Sequence, residues 1–333
     1  MSEPETTALK TEILPADATG IARAAAVLAR GGLVAFPTET VYGLGADAAN
    51  ATAIAHLYQA KGRPAFNPLI AHVADSAAAR RIGRFDATAE RLAAAFWPGP
   101  LTLVVPQAER CPVADLATAG LDTVAIRVPA DPIARALLAA FGGAVVAPSA
   151  NISGHVSPTT AGHVAADLTG RVDLILDGGP VEVGVESTIV GCFDAPTLLR
   201  PGGVPSEAIE AVLGRALVRP AAAELRAAEQ PLAPGMLASH YAPRAAVRLG
   251  ATEVAPDEAL LAFGPAALPG AARAAAVLNL SAAGDPAEAA TNLFGYLRSL
   301  DTSGIHSIAV MPIPNDGLGE AINDRLRRAA APR

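Results

Sequence analysis

The chain has 333 residues, of which 51% are hydrophobic and 4% aromatic, and its formal net charge is −7. This length predicts about two domains, and the negative charge argues against tight binding of nucleic acids such as tRNA, whose phosphates need a basic surface. No apolar run is long enough to span a membrane, and the acidic N-terminus lacks the apolar segment of a signal peptide. Two cysteines are too few for a disulfide framework. We therefore expect a cytoplasmic protein.

Residues 1–215 alternate between short apolar runs and segments with helical spacing. This alternation predicts an α/β fold with a large twisted mixed sheet and flanking helices. Most runs end at Pro, Gly or Asp, which are common strand and helix terminators. The predicted strands are 32–38, 68–74, 101–106, 123–129, 144–150, 174–179, 187–193 and 197–202. The predicted helices are 18–32, 49–62, 88–99, 131–143, 159–170 and 205–214.

The composition changes near residue 216. Residues 216–245 contain four prolines and few β-branched residues, which is typical of a linker between domains. A second, smaller α/β pattern of Rossmann-like type follows, but it has neither a G-x-G-x-x-G nor a Walker motif, so a cofactor-binding role is unsupported. We expect a first domain over 1–215, a linker over 216–245 and a C-terminal α/β domain over 246–333. The predicted elements of the last are strands at 247–250, 259–264, 275–281 and 307–314 and helices at 286–300 and 317–330.

Polar side chains gather at the ends of the predicted strands of the first domain. Residues 38–42 follow the first strand, Lys61 and Arg63 precede the second, and Ser149 and Asn151 close another. Open α/β sheets bind ligands at such strand ends, and cations, hydroxyls and amides are typical of sites for anions and phosphates. Lys61 is notable because the chain has only one other lysine, Lys10.

Each of these features also has a purely structural explanation. Arg127, inside an apolar strand, needs a partner if it is buried, but on an edge strand it would face water. Lys61 and Arg63 fit a solvated helix C-terminus, where cations are favourable. His72 alone is more often a core or surface histidine than a catalyst. Ser149 lacks the G-x-S-x-G context of a hydrolase.

The motifs in combination resemble the YrdC-like family. They are FPTETVYGLG, KGRPAFNPLIAH, FWPGPLT, AIRVP, APSANISG, GVESTIV and LLRPG, in this order. The later APGMLASHYAPR and the extra α/β unit resemble the long, two-domain members of this family, and the likeness covers most of residues 15–245. It implies a nucleotidyltransferase that joins L-threonine, bicarbonate and ATP into threonylcarbamoyl-adenylate and releases pyrophosphate. A separate transferase complex then modifies the adenosine beside the anticodon of tRNA.

The resemblance also implies site residues, carried over motif by motif. The threonine-binding positions are Thr40, His72, Arg127, Ala147 and Ser187. The ATP-binding positions are Arg63, Asn67, Thr123, Ser149, Ser157, Arg200 and Tyr241. The catalytic positions are Lys61, Arg63, Ser149 and Asn151, from the family's Lys-x-Arg and Ser-x-Asn elements. Magnesium is expected with ATP, although no acidic cluster identifies protein ligands for it.

The reactants repel one another, so their positioning and neutralisation by fixed cations should dominate catalysis. We expect Lys61 to supply a mobile point charge and Arg127 to clamp the threonine carboxylate, gaining a partner when substrate binds. Arg63 and Arg200 should hold the triphosphate. The linker resembles a lid with a hinge at Gly235 and with Tyr241 reaching the nucleotide, the alternative being a passive spacer.

Two functions of other classes stay open at the level of sequence. One is an RNA-binding module with a local basic cleft, against which the net charge argues. The other is a carbamoyl-handling domain of the hydrogenase-maturation kind, which shares the fold but normally carries acylphosphatase-like and zinc-finger segments. Fold alone does not separate these possibilities.

Overall fold

The structure is a computed structural model that describes residues 9–220, 240–302 and 304–332. These ranges form two β-sheets with helices packed against them, which confirms the predicted fold class. Most of the predicted linker, including Gly235 and its predicted hinge, lies outside the described residues. Within the three ranges, no helix has both the length and the apolar character needed to cross a membrane.

The first sheet has ten strands and includes all eight strands that the sequence predicts in this region. The strands are β1 (Glu12–Pro15), β2 (Val34–Phe36), β3 (Gly43–Asp47), β4 (Ile70–His72), β5 (Leu101–Pro106), β6 (Thr123–Arg127), β7 (Val145–Val146), β8 (Leu174–Asp177), β9 (Thr188–Cys192) and β10 (Pro196–Arg200). Their order in space is β1-β8-β2-β3-β7-β4-β6-β5-β9-β10. Parallel and antiparallel neighbours are mixed, as predicted.

The sequence does not predict β1 and β3. Strand β3 contains two glycines, which normally weaken a strand. At Gly45 the glycine is needed for packing, because a Cβ there would lie 2.9 Å from the ring of Phe36 and 2.9 Å from the side chain of Val145. Tertiary packing thus overrides local preference at this strand.

Eight helices accompany the first sheet. They are α1 (Ala18–Ala29), α2 (Ala51–Lys61), α3 (Ser76–Ile82), α4 (Ala87–Phe96), α5 (Asp115–Thr118), α6 (Pro132–Phe141), α7 (Ala161–Leu168) and α8 (Ser206–Leu213). Most begin at a side chain that accepts a hydrogen bond from a backbone N–H of the first turn; these caps are Asp17, Asn50, Asp75, Asp86, Asp131 and Thr160. The sequence predicts six of these helices and misses α3 and the single turn α5.

The two faces of this sheet are covered differently. Along β4 and β6, Ala71 and Ile126 point into the large core formed with α2–α5, α7 and α8. On the opposite face, α1 and α6 cover the end of the sheet that contains β2 and β8. Ile70 and Ala125 share that opposite face but belong to a separate small apolar cluster. Between these two apolar regions, the face carries polar side chains.

The second sheet has four parallel strands in the order β11-β14-β12-β13. Its elements are β11 (Ala246–Arg248), β12 (Ala259–Ala262), a short 3₁₀ helix (Ala271–Arg273), β13 (Ala276–Asn279), α9 (Pro286–Leu300), β14 (Ser307–Val310) and α10 (Leu318–Ala329). The sequence predicts all four strands and both α-helices. Helices α9 and α10 bury apolar side chains against each other and against the sheet.

The two sheets belong to one packed body. Val41, Val156 and Val185, from loops of the first unit, share an apolar cluster with Phe294 and Leu326 of the second. Polar contacts add to it: Arg298 on α9 donates to Asp167 on α7 at 3.0 Å. The C-terminal unit therefore lies against the loops that surround the polar part of the first sheet.

Candidate active site

A small hollow lies on the polar part of the first sheet, between its middle strands and the C-terminal unit. Its volume is about 50 Å³. The fourteen lining residues are Thr40, Val41, Arg63, Ile70, His72, Arg127, Ala147, Pro148, Ser149, Glu186, Ser187, Arg200, His240 and Tyr241. All five predicted threonine-binding positions are among them, with four of the predicted ATP-binding positions. Strand ends and loops contribute most of this lining, as predicted, but Ile70, His72 and Arg127 belong to the face of the sheet.

Larger cavities lie elsewhere on the first unit, among them two of about 500 and 540 Å³. Neither is lined by any of the predicted site residues. The larger volume does not make either of them a better candidate, because a reactive site also needs convergent polar groups. We therefore take the small hollow as the candidate active site. It is far smaller than the roughly 300–1,000 Å³ of usual ligand pockets, so ATP can enter only if lining segments move.

Arg127 is buried in the middle of the sheet, so the alternative of an edge strand facing water is wrong. Strand β6 lies between β4 and β5, and only 4% of Arg127 is exposed. Its Nη2 lies 2.7 Å from Glu39 Oε1, and its Nη1 donates to Thr40 Oγ1 at 2.9 Å. The expectation that Arg127 waits for substrate to gain a partner is also wrong, because Glu39 already neutralises it. Burial opposes ionisation of Glu39, but Arg127 outweighs it and lowers the pKa of the carboxyl.

His72 lies beside Arg127 in the neighbouring strand. Its Nδ1 is 3.0 Å from the carbonyl oxygen of Ile70, which can only accept, so Nδ1 carries the proton and Nε2 is an acceptor. Burial, and then the charge of Arg127, lowers the pKa of His72 to about 3. The imidazole is therefore neutral at physiological pH and can accept a hydrogen bond from a ligand in the hollow.

Ser187 and Arg200 meet at the ends of β9 and β10. Arg200 Nη2 donates to the Ser187 carbonyl at 2.9 Å and to Ser187 Oγ at 3.2 Å. Ser187 Oγ is also 2.7 Å from Thr102 Oγ1 on β5. The guanidinium of Arg200 is 4% exposed, and burial lowers its pKa below the ordinary value. This corner of the hollow thus holds a fixed cation beside a hydroxyl.

Lys61 is the last residue of α2, as expected if it lies at a helix C-terminus. It is not solvated, however. It is 1% exposed and donates to the carbonyl oxygens of Ser149 and Asn151, each at 2.5 Å. Burial, followed by the charge of Arg63, lowers the pKa of Lys61 well below its ordinary value. In this conformation Lys61 does not line the hollow but fixes the loop that carries Ser149, so its role as a mobile charge for the substrates stays a prediction.

Arg63 and Asn67 lie in the loop between α2 and β4. Arg63 Nη2 donates to the Pro68 carbonyl at 3.1 Å, while its Nε has no hydrogen-bond partner among the described residues. Neither atom of the buried Asn67 amide has a described partner, and the same holds for Asn151 Oδ1. Asn67 and Asn151 do not line the hollow, whereas Arg63 does. Because buried polar atoms are almost always paired, the unpartnered Nε of Arg63 indicates a polar ligand in the hollow.

Thr123 and Ser157 do not line the hollow. Thr123 begins β6 and shares the face of Arg127, but four residues separate them, which is about 13 Å along a strand. Ser157 is fully buried and its hydroxyl donates to Glu186 Oε1 at 2.5 Å. Ser157 therefore contacts the hollow through Glu186 in this conformation.

His240 and Tyr241 close the hollow from the side of the C-terminal unit. Tyr241 has φ of 60°, a left-handed conformation that is unusual for a residue with a large side chain. Its ring stacks on Phe294, with centroids 5.5 Å apart, and lies 4.0 Å from the ring of His240. The predicted proximity of Tyr241 to the site is present, while the lid that would carry it stays a prediction.

Sequence reasoning misses three charged residues of the site. Glu39 and Glu186 stand within FPTETVYGLG and GVESTIV, so their motifs are a signal, but their roles as partners of buried arginines depend on the fold. Arg325 on α10 is fully buried and donates to Glu186 Oε2 at 2.7 Å. Nothing in the run RLRR distinguishes Arg325 from its neighbours on a surface helix.

Among the described residues, the site offers no unengaged carboxylate as a ligand for a metal ion. Both carboxylates at the hollow are engaged by arginines, Glu39 by Arg127 and Glu186 by Arg325. No group of three or more candidate ligands exists within the described ranges. The residues present thus do not fit a magnesium ion held by the protein.

Comparison with known proteins agrees with this geometry. Residues 26–202 match the Sua5/YciO/YrdC family model, described as telomere recombination, and residues 204–331 match the model of the C-terminal domain of threonylcarbamoyl-AMP synthase. The threonylcarbamoyl-AMP synthase of Bacillus subtilis is 42% identical over 97% of this chain and 96% of its own, and that of Pyrococcus abyssi is 43% identical over 92% and 93%.

A crystal structure of P. abyssi Sua5 complexed with L-threonine has a TM-score of 0.86 and 39% identity, covering 97% of this chain and 98% of its own. The fold is thus shared over nearly the whole length of both chains. The chain belongs to the Sua5/YciO/YrdC family and, within it, to the two-domain threonylcarbamoyl-AMP synthases.

Proposed function

We propose that this chain synthesises threonylcarbamoyl-AMP and pyrophosphate from L-threonine, bicarbonate and ATP. The observation that carries the proposal is the convergence of three buried arginines, Arg63, Arg127 and Arg200, and the neutral His72 on one hollow. Such a set suits an amino acid and a triphosphate, which together present several anionic groups and few cationic ones. The names of the relatives support the same reaction.

L-Threonine would bind over β4, β6 and the loop before β9. Arg127 is assigned to the carboxylate of threonine, because its guanidinium lines the hollow while its Nη2 is paired with Glu39 at 2.7 Å. His72 Nε2 can accept from the ammonium or hydroxyl group, and Ser187 and Thr40 add hydroxyls. The small side chain of Ala147 leaves room beside them.

ATP would bind along the neighbouring wall, where Arg63, Ser149 and Arg200 line the hollow. Arg63 and Arg200 present flat guanidinium groups to the phosphates. Neither amide atom of Asn67 has a partner among the described residues, so both can hydrogen-bond to the nucleotide. The present volume is too small for a nucleotide, so the segments around the hollow would have to move apart. The site would then be completed by Thr123, Ser157 and Tyr241.

The chemistry consists of two steps whose reactants are mostly anions. The unprotonated amine of threonine adds to bicarbonate, giving a carbamate and water. A carbamate oxygen then attacks the α-phosphorus, and the bond to pyrophosphate breaks. The arginines neutralise the approaching anions, and Lys61 fixes the Ser149 and Asn151 carbonyls so that this wall is already arranged before the reaction.

The remaining assignments complete the proposal. Magnesium would enter with the phosphates of ATP, because the carboxylates of the site are engaged. Residues 1–215 would hold the chemistry, 216–245 would link and cover it, and 246–333 would support it. The product would pass, in the cytoplasm, to a separate transferase complex that modifies tRNA, without tight binding of tRNA by this chain.

A direct assay tests the proposal. Purified protein given ATP, bicarbonate and labelled threonine should form a labelled adenylate and release pyrophosphate in equal amounts, and omission of threonine should abolish both. Pyrophosphate release that needs carbamoyl phosphate instead of threonine would replace this function with carbamoyl handling. Formation of neither product, together with salt-dependent retention of RNA in a gel, would replace it with RNA binding.

A further inference from the structure

A fully buried arginine of the C-terminal unit reaches the edge of the candidate active site. Arg325, on α10, has no exposed surface. Its Nε donates to Glu186 Oε2 at 2.7 Å, and its Nη1 donates to the Pro201 carbonyl at 2.9 Å and to Asp324 Oδ2 at 2.7 Å. One rigid guanidinium therefore contacts two separate segments of the first unit.

Those two segments carry residues of both substrate sites. Glu186 directly precedes Ser187, which lines the threonine side, and Pro201 directly follows Arg200, which lines the nucleotide side. Glu186 itself lines the hollow and accepts from Ser157 at 2.5 Å. A shift of Arg325 would thus displace Ser187, Arg200 and Ser157 together.

The charges make this contact hard to replace. Burial would raise the pKa of Glu186, but Arg325 and then Arg200, with the Ser157 hydroxyl, outweigh it and hold the pKa below its ordinary value. Asp324 in turn accepts from Arg325 and Arg328, which fixes the guanidinium from behind. The ring of Tyr241 lies 5.2 Å from the centre of the guanidinium.

We propose that Arg325 is a positioning residue through which the C-terminal unit sets the geometry of the substrate sites. Its fork holds the Glu186–Ser187 and Arg200–Pro201 segments at a fixed separation. This inference rests on the proposed function, and it assigns to the C-terminal unit a part in substrate binding. Arg325 need not touch either substrate.

The test compares two arginines of the C-terminal unit that both cross to the first unit. Arg298 on α9 pairs with Asp167 and donates to the Val156 carbonyl, but neither partner lines the hollow. In full-length protein, Arg325→Met should raise the KM for ATP and for threonine at least tenfold. Arg298→Met should leave both KM values within twofold of wild type, although both variants lower the melting temperature.

A second pair of variants separates positioning from stability. Glu186→Gln combined with Arg325→Met removes the unpaired carboxylate, so the melting temperature should recover while the KM values stay raised. Arg325→Lys keeps a charge but loses the planar fork whose Nε and Nη1 are directed to Glu186 and Pro201, and should raise the KM values severalfold. This variant decides the question if Arg325→Met does not fold.

Two outcomes would overturn the inference: KM values of Arg325→Lys equal to wild type, or KM values of the double variant that recover together with its melting temperature. Either would reduce Arg325 to a structural contact. Failure of the proposed function is distinct, because the wild-type protein would then show no threonine-dependent release of pyrophosphate.

Discussion

Lys61 illustrates how a single residue can serve a site that it does not line. Its ammonium spans two carbonyls of the loop that carries Ser149 and Asn151, and no carboxylate is among the contacts found for it. Removal of the ammonium leaves the Asn151 carbonyl without a donor among the described residues and the Ser149 carbonyl with only the Asn151 N–H, and buried acceptors without donors are costly. The position of Ser149 in the hollow therefore depends on Lys61.

We expect Lys61→Met to lower kcat for threonylcarbamoyl-AMP formation by about a hundredfold or more, the scale of losing a preorganised electrostatic contact. The measurement is pyrophosphate release at saturating substrates. Lys10→Met is the matched control, because Lys10 is the only other lysine and is exposed. Turnover of Lys61→Met within threefold of wild type would remove Lys61 from the catalytic machinery.

His72 leads to a prediction about acid stability. The folded imidazole has a pKa of about 3 instead of the ordinary 6.5. Between pH 6.5 and pH 3, His72 therefore binds a proton in the unfolded chain but not in the folded one. The free energy of unfolding has its full contribution from His72 above pH 6.5 and loses it progressively as the pH falls toward 3. For one such group, the free energy of unfolding falls by up to about 1.4 kcal/mol for each pH unit.

The variant His72→Asn should lack this pH-dependent contribution to the free energy of unfolding. Urea unfolding between pH 6.5 and 4.5 should give a free energy that falls less steeply for the variant than for wild type, by up to about 1.4 kcal/mol per pH unit. Other buried groups such as His240 are unchanged and cancel in the difference. Equal slopes for the two proteins would mean that the imidazole of His72 is protonated in the folded state as readily as in the unfolded one.

At the scale of elements, the close approach of β9 and β10 determines the shape of the site. Gly202 follows β10, and a Cβ there would lie 2.3 Å from the Glu186 carbonyl oxygen and 2.4 Å from the Ser187 carbonyl carbon. Both are backbone atoms, which cannot turn aside as a side chain can. Only glycine lets the segment after Arg200 lie against the segment that carries Ser187.

Gly202→Ala should therefore push these segments apart. We expect a loss of roughly 1–3 kcal/mol in the free energy of unfolding, the usual cost of overpacking, with raised KM values for both substrates. Gly162→Ala in α7 is the control, because the nearest atom to a Cβ there is Thr160 Oγ1 at 3.7 Å. That change should be neutral or stabilising. A Gly202→Ala protein with wild-type stability and KM values would contradict this reading of the contact.

Most of the elements could be predicted from sequence because their signals are local, whereas β1, β3, α3 and α5 are not predicted. Apolar runs and helix caps such as Asp131 mark strands and helices, and the motif residues point to one site. The pairing of charges could not be predicted. Whether Arg127 faces water or Glu39 depends on β6 being an interior strand, and that depends on pairing between segments far apart in the chain. Arg325 lies on the last helix, well over a hundred residues from Glu186, and no periodicity relates the two.

At the scale of the whole molecule, the two units share a core. Val41 and Val185 of the first unit pack in the same apolar cluster as Phe294 and Leu326 of the second, together with Tyr241 from the segment between them. A core that belongs to both units couples their unfolding, because neither can open without exposing the other. We therefore expect calorimetry to record one cooperative transition for the full-length protein.

Phe294→Ala tests this coupling, since Phe294 is fully buried in the shared cluster and stacks on Tyr241. Loss of its ring should cost about 3–5 kcal/mol and shift the single transition as a whole, including the part contributed by the first unit. Val277→Ala is the control from the same unit, because Val277 is 48% exposed and should change stability by no more than about 0.5 kcal/mol. Two transitions, with only one of them moved by Phe294→Ala, would mean that the units fold independently and that the shared cluster does not couple them. The substrate sites would then have to keep their geometry without the C-terminal unit.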